Sequence, residues 1–486
     1  NASADIKYGD ENGNGNILIH SDIDFKDKIK KFNLFARVDS IKPNPLKLID
    51  SYPTFKASLI AKSQLQFTTI DDILGYISID SLSLFNDNES YNIDSLVVRA
   101  TKENDIQRIT ISSEPIRAFL EGKYTFSTLG SNLQYLLTEE LTTFKPIQLK
   151  RKQPSNDFTF SFDISPISEL TYVFEKDIYI EDTTFIRGKF SDFENSIELT
   201  AFTNNIFWGN KSMDSVSLHI HNLQEKIQLR LETTLETKLD TTDLAFSARL
   251  DNNDLDINFE WLNSVEKDFS GELGLDVLFK QPKTEDALLN LECTLHPSEM
   301  ILSDSLWRIK EGKILYDEKS LIVNNIDFGS SNQYLRINGA ANKEDNSKII
   351  QVDLKDIDLS YISEVFYMPD IKLLGIVSGF VSISEALKKP ILNADVTAKQ
   401  FGLNNFPLGD VSAKASFNYE KEQIDLYGEV LNSFGDTSYV HGFVAPVRQE
   451  MLLDIDINNL KLNFIKPYLV SFANDMAGTA RGKLYV

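Results

Sequence analysis

Val411-Ser412-Ala413-Lys414-Ala415-Ser416-Phe417-Asn418-Tyr419 sets an apolar or aromatic residue at every second position and a polar one between. A side-chain period of two belongs to a β-strand with one face in oil and the other in water. The pattern recurs along the chain. Ile227, Leu229 and Leu231 alternate with Gln228, Arg230 and Glu232. Leu255, Ile257, Phe259 and Trp261 alternate with Asp256, Asn258 and Glu260, and Ala394, Val396 and Ala398 with Asp395, Thr397 and Lys399. Clusters such as Asp251-Asn252-Asn253-Asp254 separate the strands as turns. The predicted fold class is mainly β: an elongated antiparallel repeat array with few short helices.

One longer helix is predicted where Leu129, Leu133, Leu136, Leu137 and Leu141 fall at helical spacing, with Ser127 or Thr128 as N-cap. Short helices are expected over 359–366 and 462–469. A basic stretch flanked by prolines, Lys145-Pro146 then Lys150-Arg151-Lys152 and Pro154, marks a composition shift. It reads as a solvated linker rather than a headgroup site. An internal repeat organises the rest. Val352-Asp-Leu-Lys-Asp-Ile-Asp-Leu-Ser-Tyr-Ile362 matches Ile455-Asp-Ile-Asn-Asn-Leu-Lys-Leu-Asn-Phe-Ile465, with an offset of 455 − 352 = 103. Gly339 with Gly442, Gly375 with Gly478 and Gly379 with Gly482 keep that offset. Ser270-Gly271 with Lys280-x-Pro282 matches Ser378-Gly379 with Lys388-x-Pro390 at 378 − 270 = 108. The expected organisation is strands over 1–144 ending in a helix, a linker at 145–156, and repeats at 157–266, 267–370 and 371–486.

Strands with one apolar face cannot bury it alone, so stacked units share it, either as a closed sandwich or as an open groove. Small inward residues (Ala394, Ala398, Ala413, Ala415) leave volume unfilled and favour the groove. The chain holds 32 Phe and 3 Trp. A lining of Leu, Ile, Val, Phe and Ala without polar anchors suits fatty chains better than sugars. The net charge of −23 repels nucleic acid and anionic headgroups. Cys293 is the sole cysteine, so no disulfide forms within the chain; between Leu291 and Leu295 it reads as a small core residue. No apolar run reaches the ~18 residues of a membrane span. The start at Asn1 rather than Met and the stop within an alternation are read as those of a segment of a longer protein.

Chemical motifs are weak throughout. Asp10-Glu-Asn12-Gly-Asn14-Gly15 matches half of a calcium loop, but Ser21 stands where the bidentate Glu is needed. His219 and His221 share a face, yet Val216, Leu218 and Ile220 form the apolar one and no third ligand is evident. His20, His296 and His441 are scattered. Gly478-Thr-Ala-Arg-Gly482-Lys483 is one residue short of a phosphate loop, with Leu484 in the hydroxyl position, and reads as a strand. No catalytic residue, metal or cofactor is expected, and the chain is read as a non-enzyme.

The run Leu374-Gly375-Ile-Val-Ser-Gly379-Phe-Val-Ser-Ile383, then Lys389-Pro390-Ile-Leu-Asn-Ala-Asp-Val-Thr-Ala398, then Phe406-Pro-Leu-Gly-Asp410-Val-Ser-Ala-Lys-Ala415 and Asn418-Tyr419, resembles the repeat of the TamB family of translocation-and-assembly-module proteins and the wider AsmA-like repeating β-groove proteins. Phe32-Asn-Leu-Phe-Ala36 and Asp72-Ile-Leu-Gly75-Tyr-Ile-Ser-Ile-Asp80-Ser-Leu resemble the same family. The likeness runs diffusely over nearly the whole chain, carried by order and spacing rather than by any single residue. It implies a sheet curled into a U-section hydrophobic groove that bridges inner and outer membranes through the periplasm. Phospholipid acyl chains would travel along it. The inner membrane would be reached through an anchor absent from this segment, and the partner would be an outer-membrane barrel of the Omp85/TamA type. The segment would lie toward the C-terminal, outer-membrane side. The expected groove lining is Leu354, Ile357, Leu359, Ala394, Val396, Ala398, Ala413, Ala415, Phe417, Ile455, Ile457 and Leu460. Two other roles fit the alternation: a scaffold for outer-membrane β-barrel assembly, and an extracellular β-solenoid adhesin or glycan-binding module. Trp208, Trp261 and Trp307 share no repeat phase, which speaks against aromatic sugar platforms.

Overall fold

The structure is a computed structural model. It describes residues 2–9, 15–24, 28–45, 52–87, 89–144, 153–174, 178–209, 211–223, 226–236, 241–263, 269–284, 287–302, 305–361, 372–403, 406–419, 421–445, 448, 450–461 and 478–485. The fold is mainly antiparallel β, as the alternation requires. The chain divides into two compact units, residues 1–255 with 259–265, and residues 256–258 with 266–486.

In the first unit the strands form a meander of successive antiparallel pairs, except that the short strand Ile178–Tyr179 pairs with Ser196–Trp208 instead. It runs from Ala2–Gly9 through Leu74–Asn86, Ile116–Lys123, Asp157–Ile164 and Thr184–Ser191 to Thr241–Asp251. The predicted longer helix is present over Phe126–Glu140. Its cap differs from the expectation. Ser127 and Thr128 lie inside the helix, and the residue before it, Thr125, makes no side-chain cap bond. Asp71 supplies the acceptor from another segment, taking Ser127 N–H at 2.9 Å and Ser127 Oγ–H at 2.8 Å. A local reading has no access to an acceptor 56 residues upstream. Leu136 and Leu141 are buried as expected, but Leu133 and Leu137 are exposed. Asn132, one turn before Leu136, is buried instead and donates to Asp192. A second helix, Ser168–Val173, was not foreseen. It seats Val173 against Phe55, Tyr91 and Ile93.

The long helix reports how far the first unit's sheet curves. Its start is tied to Asp71, just before the strand Leu74–Asn86. Its end is tied to the turn after Thr241–Asp251: Asn253 N–H donates to Glu140 O at 2.6 Å, and Thr143 N–H to Asn253 Oδ1 at 2.9 Å. Following the sheet between those strands takes nine inter-strand steps, about 43 Å at the usual spacing of about 4.8 Å. Along the helix, Ser127 to Glu140 is 140 − 127 = 13 residues, about 20 Å. Side chains reaching out at each end lengthen that chord only modestly. An arc of this length on so short a chord turns back through about half a circle, so within this unit the strands wrap a trough.

The second unit repeats the meander from Phe269–Phe279 to Thr479–Tyr485. Near its start two successive strands are broken. Asn290–Leu295 and Ser298–Leu302 both pair with Phe269–Phe279, interrupted at Pro297, which has no N–H to give the ladder. The sequence repeat is kept in backbone conformation. Asp356 (φ 51°) and Asn459 (φ 53°) lie 459 − 356 = 103 apart, each at a break in strand register. Gly379 and Gly482 share φ 150° and 151°. Residues 10–14 of the half-matching calcium-loop run, the basic stretch 145–152, most of the 359–366 helix and all of the 462–469 helix lie outside the described residues.

Candidate functional site

The register sorts side chains onto two faces with different chemistry. In the second unit Leu354 stands opposite Gly379, Gly379 opposite Val396, Val396 opposite Ala413, Ala413 opposite Gly428, Gly428 opposite Val440, and Val440 opposite Ile455. One residue along each strand, the opposite face reads Asp353, Phe380, Asp395, Lys414, Tyr427, His441, Asp454. That face carries ion pairs, Lys414 with Asp395 at 3.3 Å and His441 with Asp454 at 3.2 Å. The first face offers no hydrogen-bonding side chain along its row.

Four predicted lining residues, Leu354, Val396, Ala413 and Ile455, therefore share one cross-strand row. Ala394 and Ala415 are paired in the next row, between Val381 and Leu426. Ile357 and Ala398 meet through Val377 in a third. Phe417 lies in a fourth, opposite Ile424. Ile457 and Leu460 pair with Gly482 and Ala480. Leu359 caps the face at one end, buried with Val377 and Ala398.

Bulges keep these residues together. Leu354 and Ile357 are three apart, which simple alternation would place on opposite faces. Asp356 supplies the extra residue in the left-handed region. Its N–H donates to Ser378 Oγ at 2.9 Å, so the extra backbone group is satisfied. Gln400 (φ 51°) does the same through Asp410 Oδ1 at 2.8 Å. Around Asn459, Asn458 N–H donates to Ser438 Oγ at 2.9 Å. Bulges bend a strand and sharpen its twist, as a curling sheet requires. Glycine serves close approach. A Cβ on Gly379 would sit 2.3 Å from Asp395 O, and one on Gly442 2.0 Å from Leu452 O.

Most of this face is half-buried rather than sealed: Leu354, Val396, Ala413, Ala415, Val440 and Ile455 all keep part of their surface open. Cover is local. Ala386 and Leu387 pack over Val323, Ile326, Ala341 and Ile350, and Leu373 and Phe401 over the Leu359 cluster. Cys293 stands on the same face between Val277 and Ile314, where burial pushes its thiol pKa up. It is a packing residue.

The first unit carries an equal face that the candidate lining omitted. Leu65, Gly75, Ala100, Ile109, Leu120 and Phe160 follow one another across consecutive strands. The row goes on through Gly188, Leu199, Ile220, Leu229 and Ala248. The signal was present, since Ile227, Leu229 and Leu231 alternate as clearly as Ala394, Val396 and Ala398. What was missing was the register that joins strands into a row. The two helices cover opposite ends of this face, Phe126–Glu140 against Ile109, Leu120 and Phe160, and Ser168–Val173 on the side of Leu82, Leu84 and Leu96. Between them Ile77 is left 39% exposed.

His219 and His221 stand on the polar face, opposite Thr200 and Glu198. Among the described residues no three His, Cys, Asp or Glu side chains come together as a metal ion would need, and no helix is long and apolar enough to cross a membrane. Residues 479–483 of the phosphate-loop-like run lie on the strand Thr479–Tyr485. Neither a scan against protein-family models nor a search of the curated proteins gives a match for this chain.

Proposed function

We propose that this chain is a non-enzymatic conduit for the acyl chains of phospholipid, forming part of a periplasmic bridge between inner and outer membranes. The observation that carries the reading is the half-open apolar face, built as unbroken cross-strand rows of Leu, Ile, Val, Ala, Phe and Gly in each unit. A face meant for a sealed core is covered, and one meant for a polar ligand carries anchors. This one is largely uncovered and lacks them. Transfer of a methylene out of water is worth ~0.8 kcal/mol, so a chain of ~16 carbons costs on the order of 13 kcal/mol in water. A trough removes that cost at each point of travel while the headgroup stays at the rim in solvent. The resemblance of the strand-and-glycine repeat to the TamB and AsmA-like β-groove proteins supports the envelope location and an outer-membrane barrel of the Omp85/TamA type as partner.

The test is photo-crosslinking in cells with a photoreactive residue at Val396 or Ala415, and at Thr397 or Ser416 on the other face, followed by mass spectrometry of the adducts. Phospholipid on the first pair and not on the second is the expected result. Adducts only with protein strands would replace the conduit by a β-barrel assembly scaffold, and no adduct at either inward position would end the lipid reading.

A further inference from the structure

Beneath the start of the helix Phe126–Glu140 the first unit holds a partly enclosed hollow of about 160 Å³. Its floor is the apolar face itself: Leu65, Gly75, Ala100 and Ile109 from one row, Ile77 and Val98 from the next. Tyr124 and Phe126 close it from the helix side, their rings 5.1 Å apart. Besides the rings of Tyr76 and Tyr124, the polar side chains of Asp71 and Gln107 border it, and both of these are engaged. The Asp71 carboxylate holds Ser127 N–H and Oγ–H. Gln107 donates from Nε2 to Asp71 O at 2.8 Å and accepts Tyr124 N–H at its Oε1 at 3.4 Å. These bonds engage the carboxylate and the amide, and the rest of the lining is aliphatic or aromatic. At the mouth, Ile77 and Phe126 are 39% and 38% exposed, so the hollow opens onto the uncovered stretch of the apolar face.

We infer that this hollow seats the methyl end of a single hydrocarbon chain, a resting position for the lipid whose passage along the face was proposed above, on which this inference rests. Size and chemistry agree. Engineered apolar cavities of about 150 Å³ stay dry and take up benzene, so this one holds a chain end of about six carbons and excludes a headgroup. Gly75 adds no side chain to the floor and lets the neighbouring strand lie close: a Cβ there would meet Gln64 O at 1.9 Å, and the residue sits at φ +125°. Ala100 opposite it keeps the floor low. The remainder of the chain leaves past Ile77, with its polar head directed away from the helix.

The experiment compares two 16-carbon fatty acids, one with a diazirine near the methyl end and one with it beside the carboxylate. Each is irradiated with the full chain and mapped by peptide mass spectrometry. The methyl-end probe is expected to label residues lining the hollow at least tenfold more than its isomer. Ala100→Phe, which fills the hollow, is expected to abolish that labelling and to leave labelling of the strand Ile391–Leu403 unchanged. Ala100→Leu carries the test if the larger ring prevents folding, with circular dichroism as the check on fold. Equal labelling by the two isomers, or undiminished labelling in a folded filled variant, overturns the seat while leaving the conduit. Absence of label from both the hollow and the Ile391–Leu403 strand overturns both. Benzene supplies an arm free of lipid. A rise in melting temperature for the native chain and not for the filled variant shows the cavity, and such a rise without chain labelling counts against its use as a lipid seat.

Discussion

Alanine replaced by aspartate at two positions of the second unit distinguishes an open trough from a sealed core. Ala341 and Ala415 lie on the same unit's apolar side, and each substitution turns a methyl into a methylene that bears a carboxylate. Only their surroundings differ: Ala341 is 1% exposed within the Val323–Ile350 cluster, and Ala415 is half-open. At Ala341 the carboxyl must be neutral in the folded state. Holding a group of ordinary pKa ~3.9 protonated at pH 7 costs about 1.36 × 3.1, or about 4 kcal/mol. Burying it without a partner adds about 1–3 kcal/mol, for a total of about 5–7 kcal/mol, a large share of an ordinary domain's stability. At Ala415 the carboxylate stays largely hydrated, and its partial desolvation costs about 1 kcal/mol. Urea unfolding followed by circular dichroism measures both. The Ala341 variant also carries a pH signature. Its folded pKa is raised, so its deficit is small below about pH 4 and grows as pH rises above the unfolded value. The Ala415 variant is expected to fold, yet to lose phospholipid adducts at Val396 by tenfold or more, because a passing chain strips water from the charge. Equal destabilisation at the two positions would refute the open face.

Gly442→Ala forces a Cβ to 2.0 Å from Leu452 O at φ +149°, whereas Gly435→Ala meets open space at φ +82°. The first is expected to cost about 2–4 kcal/mol and the second about 1, read as a difference in melting temperature. Asp192→Ala removes the acceptor of Ser155 N–H and Asn156 N–H, both at 2.9 Å, and of the Asn132 and Asn156 amides. About 3–5 kcal/mol should be lost, with amide exchange quickening first along Phe126–Glu140; unchanged exchange there would show that the helix is held by other contacts. Burial pushes the Tyr124 phenol up to about 12. It should titrate among the last of the tyrosines in an ultraviolet alkaline titration. Because the unfolded phenol ionises near 10, Tyr124 contributes its full stability below that pH and loses it as pH rises toward 12; Tyr124→Phe should flatten that fall.

The sequence by itself determined the strand class, the polarity of each strand's faces and the repeat. These are consequences of the two-residue period, and the recurring glycines and bulges at a spacing of 103 carry the same backbone conformation in the structure. It also placed the Phe126–Glu140 helix, because leucines at helical spacing state their own period. It did not give that helix its cap or its exposed leucines, since Asp71, Asp192 and Asn253 reach it from distant segments. Nor did it yield the bulges that carry Leu354 and Ile357 onto one face, because an extra residue in a strand is visible only against its partner. Which residues stand in one row, how far the first unit's sheet turns back, and where the hollow beneath the helix lies were decided by tertiary structure alone. Each depends on register between strands, and register is a relation between segments that no single segment encodes.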